Sequence, residues 1–192
     1  MLAAKLFAAA VLMLALVAYD VYERGSLAEL ALQGSAFVLL LTAAMGRIWA
    51  SAHIASQKGR VLVRDGPYSI VRNPLYFFTF LAHVGAGLAF ESLLLALVLA
   101  GAFFATHWGT VLEEEKWLRG KFPDEFETYF ARVPRFLPKP WLLFYRDQIL
   151  VAPARFSRAV LESSLILLVI PLALVVEWGH ETAVLPVVLR LL

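Results

Sequence analysis

The stretch R-D-G-P-Y-S-I-V-R-N-P-L-Y, residues 64–76, carries the chain from a charged, turn-rich loop into an apolar segment. Gly66-Pro67 marks a turn, Asn73 is a good N-cap, and Pro74 suits the first turn of a helix, where a missing N–H costs nothing. A helix is therefore expected from about residue 74, with Arg72 beside the loop and Tyr76 one turn in. On either side of this stretch the chain is apolar. Runs long enough to cross a hydrocarbon core of roughly 30 Å occur at about 2–20, 27–50, 92–112 and 159–178, with a shorter run at 74–90. Almost no loop separates the segments that meet at Glu91-Ser92, so residues 74–112 are expected to form an antiparallel helical hairpin. A hairpin returns the chain to the side it left, so the polar cluster at 113–138 belongs at the same membrane surface as Arg72.

With 192 residues, 61% of them hydrophobic, the chain holds too much apolar surface for a soluble domain of this size. The expected fold is all-α, a polytopic membrane bundle of about five spans, organised as one membrane domain over 1–192. Its core is 46–138; 139–192 supplies an amphipathic surface segment at 141–150 and a C-terminal span that Pro171 kinks. Residues 1–19 place Lys5 before an apolar run without a small-residue cleavage site, and are read as a span. Residues 183–192 are too short to cross and are expected at the interface or folded back on the bundle.

Charge sets the orientation. The loop at 46–73 holds Arg47, Lys58, Arg60, Arg64 and Arg72 against Asp65 alone, whereas the opposite connections hold Asp20, Glu23, Arg24, Glu29, Glu91, Glu177 and Glu181. The positive-inside rule then makes the basic loops cytoplasmic. A net charge of +2 gives no reason to expect nucleic acid as a partner. Zero cysteines exclude disulfides, thiolate metal sites and a thiol nucleophile. His53, His83, His107 and His180 lack ligand spacing, so no metal site is expected. No GxSxG, P-loop or Rossmann-type pattern is present.

Several residues carry candidate chemistry, each beside a plainer role. Tyr76, Phe80, His83 and Gly87 fall on one face of the helix from 74. A histidine within a span is costly unless paired or functional. Gly85 and Gly87 admit either a neighbouring helix or a flat ligand, and helix packing is the commoner use. Glu113, Glu114 and Glu115 sit where the span ends, a position at which the macrodipole disfavours negative charge. They are either a solvated face with partners such as Arg119, or they include a carboxylate for a cation or for ribose hydroxyls. His107 shares the face of Glu114. Arg132 and Arg135 suit phosphate headgroups, an acidic substrate or a cofactor carboxylate.

Together the two clusters resemble a known family. G-P-Y-S-I-V-R-N-P-L-Y is similar to the G-x-Y-x-x-x-R-[HN]-P-x-Y signature of the isoprenylcysteine carboxyl methyltransferase family, which is itself similar to phospholipid N-methyltransferases. E-E-K-W-L-R-G-K-F and Y-F-A-R-V-P-R-F-L-P resemble its E-E-x-x-L-x-x-x-F and Y-x-x-R-V-x-R-x-x-P blocks. The likeness covers roughly residues 46–138. It implies an integral membrane enzyme that uses S-adenosylmethionine, releases S-adenosylhomocysteine and methylates a lipidic acceptor at the cytoplasmic face of a prokaryotic inner membrane. The acceptor it suggests is an isoprenylcysteine-like carboxylate, with a phospholipid amine as the alternative. A non-catalytic scaffold and a sterol-type reductase are the readings from other classes.

Carried over by motif, Arg72, Tyr76 and Glu114 become the catalytic candidates. Asn73, Pro74, Tyr76, His83, Gly85, Gly87, Glu114, Glu115, Tyr129, Arg132 and Arg135 become cofactor-binding candidates. Leu118 and Phe122 fix the register that makes Glu114 and Glu115 the acidic pair. Pro123 stands where the family has Gly, Phe126 where it has Tyr, and the arginine before the Glu run of eukaryotic members is missing. These departures bear on the acceptor more than on the cofactor. Oligomeric state is left open by the sequence.

Overall fold

A computed structural model describes residues 18–20, 25–57, 59–186 and 189–191. The expected span at 2–20 lies outside this set except for Ala18–Asp20, a short strand (β1) that pairs in parallel with Leu189–Leu191 (β2). That ladder folds the end of the tail back across the chain. Everything else that is regular is helical.

Helix α1, Leu27–Ile54, begins where the Ser26 hydroxyl accepts from the Glu29 N–H at 3.2 Å. Its buried face is made of small residues, Ala36, Ala43, Ala44, Gly46 and Ala50, with Leu40 between them. Small side chains at three-to-four spacing let a second helix approach closely, the usual means of packing where lipid removes the hydrophobic drive between helices. That neighbour is α3, Pro74–Ala89, whose Phe78 ring lies over Gly46: a Cβ there would come within 2.2 Å of it.

The hairpin is present. Helix α3 ends at a turn through Glu91, which takes a left-handed φ of 54°, and α4, Leu93–Lys121, starts under the Ser92 hydroxyl, which accepts from the Leu95 N–H. Along the pair, Gly87 lies on Ala96, Phe80 on Phe103 and Tyr76 reaches Glu114, so the two helices run antiparallel.

Helix α4 does not stop near residue 112. It continues to Lys121, with Arg119 and Lys121 in its last turn. The glutamates are therefore not at a helix C-terminus, and the dipole penalty expected for them is absent because basic residues occupy the final turn.

Among the described residues, three helices are long and apolar enough to cross a membrane: Leu27–Ile54, Leu93–Lys121 and Pro153–Glu181. With 16 residues, α3 is shorter. The last of the three is interrupted. Helix α6, Pro153–Ser164, passes through a 3-10 turn at Leu165–Leu168 into α7, Val169–Glu181. Pro171 accounts for the tightening, since its ring crowds the carbonyl four residues earlier, at Leu167.

Two short pieces complete the basic end of the bundle, the end that carries Arg72 and the Glu run. Gly66, at φ +56°, opens the one-turn helix α2, Pro67–Ile70. A side chain at Gly66 would meet the buried His53 ring at 2.3 Å. That ring bonds Asp65 through Nδ1 at 3.0 Å, and Arg146 reaches the same carboxylate at 3.4 Å. Helix α5, Pro123–Arg132, buries Phe126 and Tyr129 against Leu62 and Val133.

From Val133 the chain becomes an extended strap running antiparallel to residues 66–72. The Arg72 N–H donates to Pro134 O, Lys139 N–H to Ile70 O, and Gly66 N–H to Phe144 O, at 2.7–2.9 Å. The amphipathic surface segment expected at 141–150 is this strap, which forms no helix beyond the 3-10 turn Pro140–Leu142. Its hydrogen bonds go to the 66–72 loop instead.

Candidate functional site

A cavity of about 480 Å³ opens between α1, α3, α4 and the 59–73 loop, within the range of small-molecule and cofactor sites. Arg72, Asn73, Pro74 and Tyr76 line it from the loop and the start of α3. Glu114, Trp117 and Leu118 line it from α4, and Tyr129 from α5. The hairpin thus brings the two sequence clusters onto one cavity.

The glutamates divide the work. Glu114 faces the cavity and accepts from the Tyr76 hydroxyl at 3.2 Å. Glu115 points the other way, 6% exposed, into a clamp built from three segments. It accepts from Asn73 Nδ2 at 2.9 Å and from Arg135 Nε at 3.1 Å, with Arg135 Nη2 at 3.0 Å and Arg72 Nη1 at 3.7 Å. Successive residues on a helix differ by about a quarter-turn or more, which is why adjacent carboxylates part. Glu113 borders a shallow groove on the outside with Lys116 and Lys121. Arg119, the expected partner of Glu115, pairs instead with Glu127 at 2.7 Å.

Asn73 is the N-cap residue of α3 by position but not by bonding. Its side chain makes no cap hydrogen bond; the amide is drawn away by Glu115 and the Arg135 carbonyl. Pro74, with no N–H to satisfy, leaves one orphan fewer at that helix start.

Polar donors on the cavity wall are left over. Arg72 lies with its guanidinium 4.0 Å over the Phe130 ring, and its Nε and Nη1 are buried without a hydrogen-bond partner. Burial lowers its pKa, opposed by the charge of Glu115. Tyr68 has its hydroxyl buried without a partner, and desolvation pushes its pKa well up. Tyr129 donates to the Tyr68 carbonyl at 2.7 Å and is likewise raised, chiefly by burial. Both phenols are held as neutral donors. Buried groups of this kind normally have partners; here the Tyr68 hydroxyl and two Arg72 nitrogens, in residues that border the cavity, have no hydrogen-bond partner among the described residues.

The remaining candidates lie elsewhere. Gly87 packs on Ala96, where a Cβ would fall 2.2 Å from the neighbouring backbone, and Gly85 packs on Leu39 and Leu40. Neither borders the cavity. His83 bonds the Thr79 carbonyl through Nδ1 at 2.8 Å and meets Phe103 and His107 ring to ring, also off the cavity wall. Arg135 serves the Glu115 clamp and covers Trp108. Arg132 borders a second, smaller hollow of about 320 Å³ with Arg64 and Arg146.

Three polar wall residues, Tyr68, Thr79 and Arg47, are not among the site candidates drawn from the sequence. Tyr68 lies within the opening motif, in a segment read as a turn. Thr79 shows no signal in sequence. Arg47, counted there as a loop residue, is inside α1; a basic residue within an apolar run was the available clue. At the opposite, acidic end, carboxylate oxygens of Glu29, Glu91 and Glu177 come within 4.8 Å of one another, and Gln33 donates to both Glu29 and Glu91.

Comparison with known proteins bears on the same region. The sequence model of a family described as phospholipid methyltransferase matches residues 28–125, spanning α1 through the start of α5. The chain is 37% identical over 121 residues to the nickel-cobalt-cadmium resistance protein NccN of Alcaligenes xylosoxydans xylosoxydans, covering 63% of this chain and 56% of that protein. It is 39% identical over 106 residues to the cobalt-zinc-cadmium resistance protein CzcN of Cupriavidus metallidurans, covering 55% of this chain and 48% of that protein. The chain thus spans about half the length of the curated relatives it matches. No solved structure matches it.

Proposed function

We propose that this chain, which belongs to the phospholipid methyltransferase family, transfers a methyl group from S-adenosylmethionine to a lipophilic acceptor at the basic end of the bundle. The observation that carries the reading is the cavity itself. It joins a carboxylate on Glu114, bonded only to the Tyr76 hydroxyl among the described residues, to Arg72 and Tyr68, whose buried donors include ones without a hydrogen-bond partner. A sulfonium cation with a zwitterionic tail needs both: a carboxylate for the cation or ribose, and a guanidinium for the tail carboxylate. Glu114 and Tyr76 would hold the cationic or ribose side, and Arg72 with Tyr68 the carboxylate. The Glu115 clamp keeps Arg72 and Asn73 in place while the strap covers the loop behind them.

Adenosylmethionine supplies an activated methyl whose leaving thioether is neutral. The chain's own part is therefore alignment and exclusion of water rather than proton transfer. Trp117, Leu118 and Leu75 give the cavity its apolar wall, and its place at one end of the helices allows a lipid acceptor to enter from the bilayer while a soluble donor enters from water.

The acceptor we favour is a carboxylate of the isoprenylcysteine type, ahead of a phospholipid amine. Transfer of labelled methyl from adenosylmethionine to a prenylcysteine analogue and to an aminophospholipid separates them. An ester product is released by base and an amine product is not. Label on neither acceptor would leave the methyl-transfer reading without support. The names of the two relatives suggest a setting, growth under divalent-metal stress, in which loss of the gene would reduce metal tolerance.

A further inference from the structure

The inner end of the cavity holds a charge that the donor does not use. Arg47 stands seven residues before the end of α1 at Ile54, which at about 1.5 Å per residue places it about 10 Å in from that end. His107 stands equally far before Glu114 on α4. Thr79 of α3 completes this layer: its hydroxyl accepts from Arg47 Nη1 and donates to the Leu75 carbonyl at 2.7 Å. All three side chains border the cavity.

Among the described residues no carboxylate forms an ion pair with Arg47, and its Nε is buried without a hydrogen-bond partner. Glu162 of α6 acts on it electrostatically, but Glu162 is bonded to Arg158 at 3.1 Å in an exposed pair. A guanidinium this far into an apolar helix is expensive unless it meets an anion or lines a wet cavity. Arg72 already offers one guanidinium to the outer end, so a second at the inner end calls for a second anionic group.

We infer that Arg47 is the anchor for an anionic headgroup, a carboxylate or a phosphate, on an amphiphilic acceptor whose chain extends into the bilayer. The identity of that amphiphile as the methyl acceptor rests on the methyl-transfer reading above; the anion site does not. Thr79 fixes the guanidinium by taking Nη1, and among the described residues no carboxylate competes with a ligand for the charge of this cavity-lining side chain. Neutral amphiphiles gain nothing from this pair and are discriminated against by the unpaired charge.

Calorimetry on the detergent-solubilised full chain tests this with three probes: N-acetyl-S-farnesylcysteine, dodecyl phosphate and dodecanol. Wild type is expected to bind at least one of the two anionic probes at least tenfold more tightly than dodecanol, and the tighter of the two tells carboxylate from phosphate. Arg47→Gln is expected to weaken that probe at least tenfold while leaving adenosylhomocysteine binding within about twofold, which also reports that the variant is folded. Arg47→Lys, which keeps the charge, should bind at least threefold more tightly than Arg47→Gln.

Equal binding of dodecanol, unchanged binding of the anionic probe in Arg47→Gln, or Arg47→Lys as weak as Arg47→Gln would each overturn the proposal. If wild type binds the anionic probe through Arg47 but does not bind adenosylhomocysteine, the donor reading fails and the anion site stands.

Discussion

Glu114 and Glu115 are neighbours in sequence with opposite tasks, and substitution separates them. Glu115→Ala leaves the buried Arg72 side chain and Asn73 without their shared carboxylate. The expected cost is about 3 kcal/mol, seen as a lower midpoint of thermal or denaturant unfolding. Glu114→Gln removes a charge from the cavity wall and nothing from the clamp, so stability should hold within about 0.5 kcal/mol while adenosylhomocysteine binding falls at least tenfold. Because burial raises the Tyr68 and Tyr129 phenols, they stay protonated as pH rises through their ordinary range. Donor binding should then show no loss from phenol ionisation as pH passes about 10, the ordinary tyrosine value, as a titration by calorimetry would report. The register supplied by Leu118 and Phe122 makes these two glutamates legible as a pair. Their division of labour is not, because it is decided by Asn73, Arg72 and Arg135, which meet Glu115 only after the hairpin and strap have formed.

Among the elements, the hairpin was the easiest to foresee and the strap the hardest. A two-residue polar break between apolar runs forces α3 and α4 to be antiparallel whatever their side chains. Glycine then sets how close they come. Gly87→Ala places a methyl against Ala96 backbone and should destabilise by about 1–3 kcal/mol. Gly101→Ala on the same hairpin, inside α4 with nothing within 4 Å, should be neutral to stabilising by up to about 1 kcal/mol, and comparing the two melting curves checks the packing. The two sequence glycines, Gly85 and Gly87, are matched by motif to a cofactor element, yet each is occupied by a neighbouring helix. The strap was invisible because its pairing with residues 66–72 is made mainly by backbone groups, which leave no periodicity in sequence. The charged residues that pin it, Arg146 on Asp65 beside His53, are far apart in the chain. Pro171, by contrast, announced its own effect.

At the scale of the whole molecule, composition and apolar run length gave the class, an all-helical membrane bundle with three helices of spanning length among the described residues. Charge asymmetry gave an orientation. Because the chain has no cysteine, single introduced thiols report it cleanly: Gly120→Cys at the basic end should react with an impermeant maleimide only after the membrane is opened from the cytoplasmic side, and Thr182→Cys at the other end in intact cells. The reverse pattern would invert the topology while leaving the cavity intact. What the sequence could not supply is depth, and so Arg47 read as a loop residue until α1 was seen to run past it. The central claim is that the 64–76 stretch and the Glu run wall one cavity that holds a sulfonium donor. Calorimetric titration of the purified full chain with adenosylhomocysteine tests it most directly. The account predicts saturable one-to-one binding that Glu114→Gln weakens at least tenfold in a protein that still melts like wild type; absence of binding to wild type, or equal binding to the variant, would contradict it.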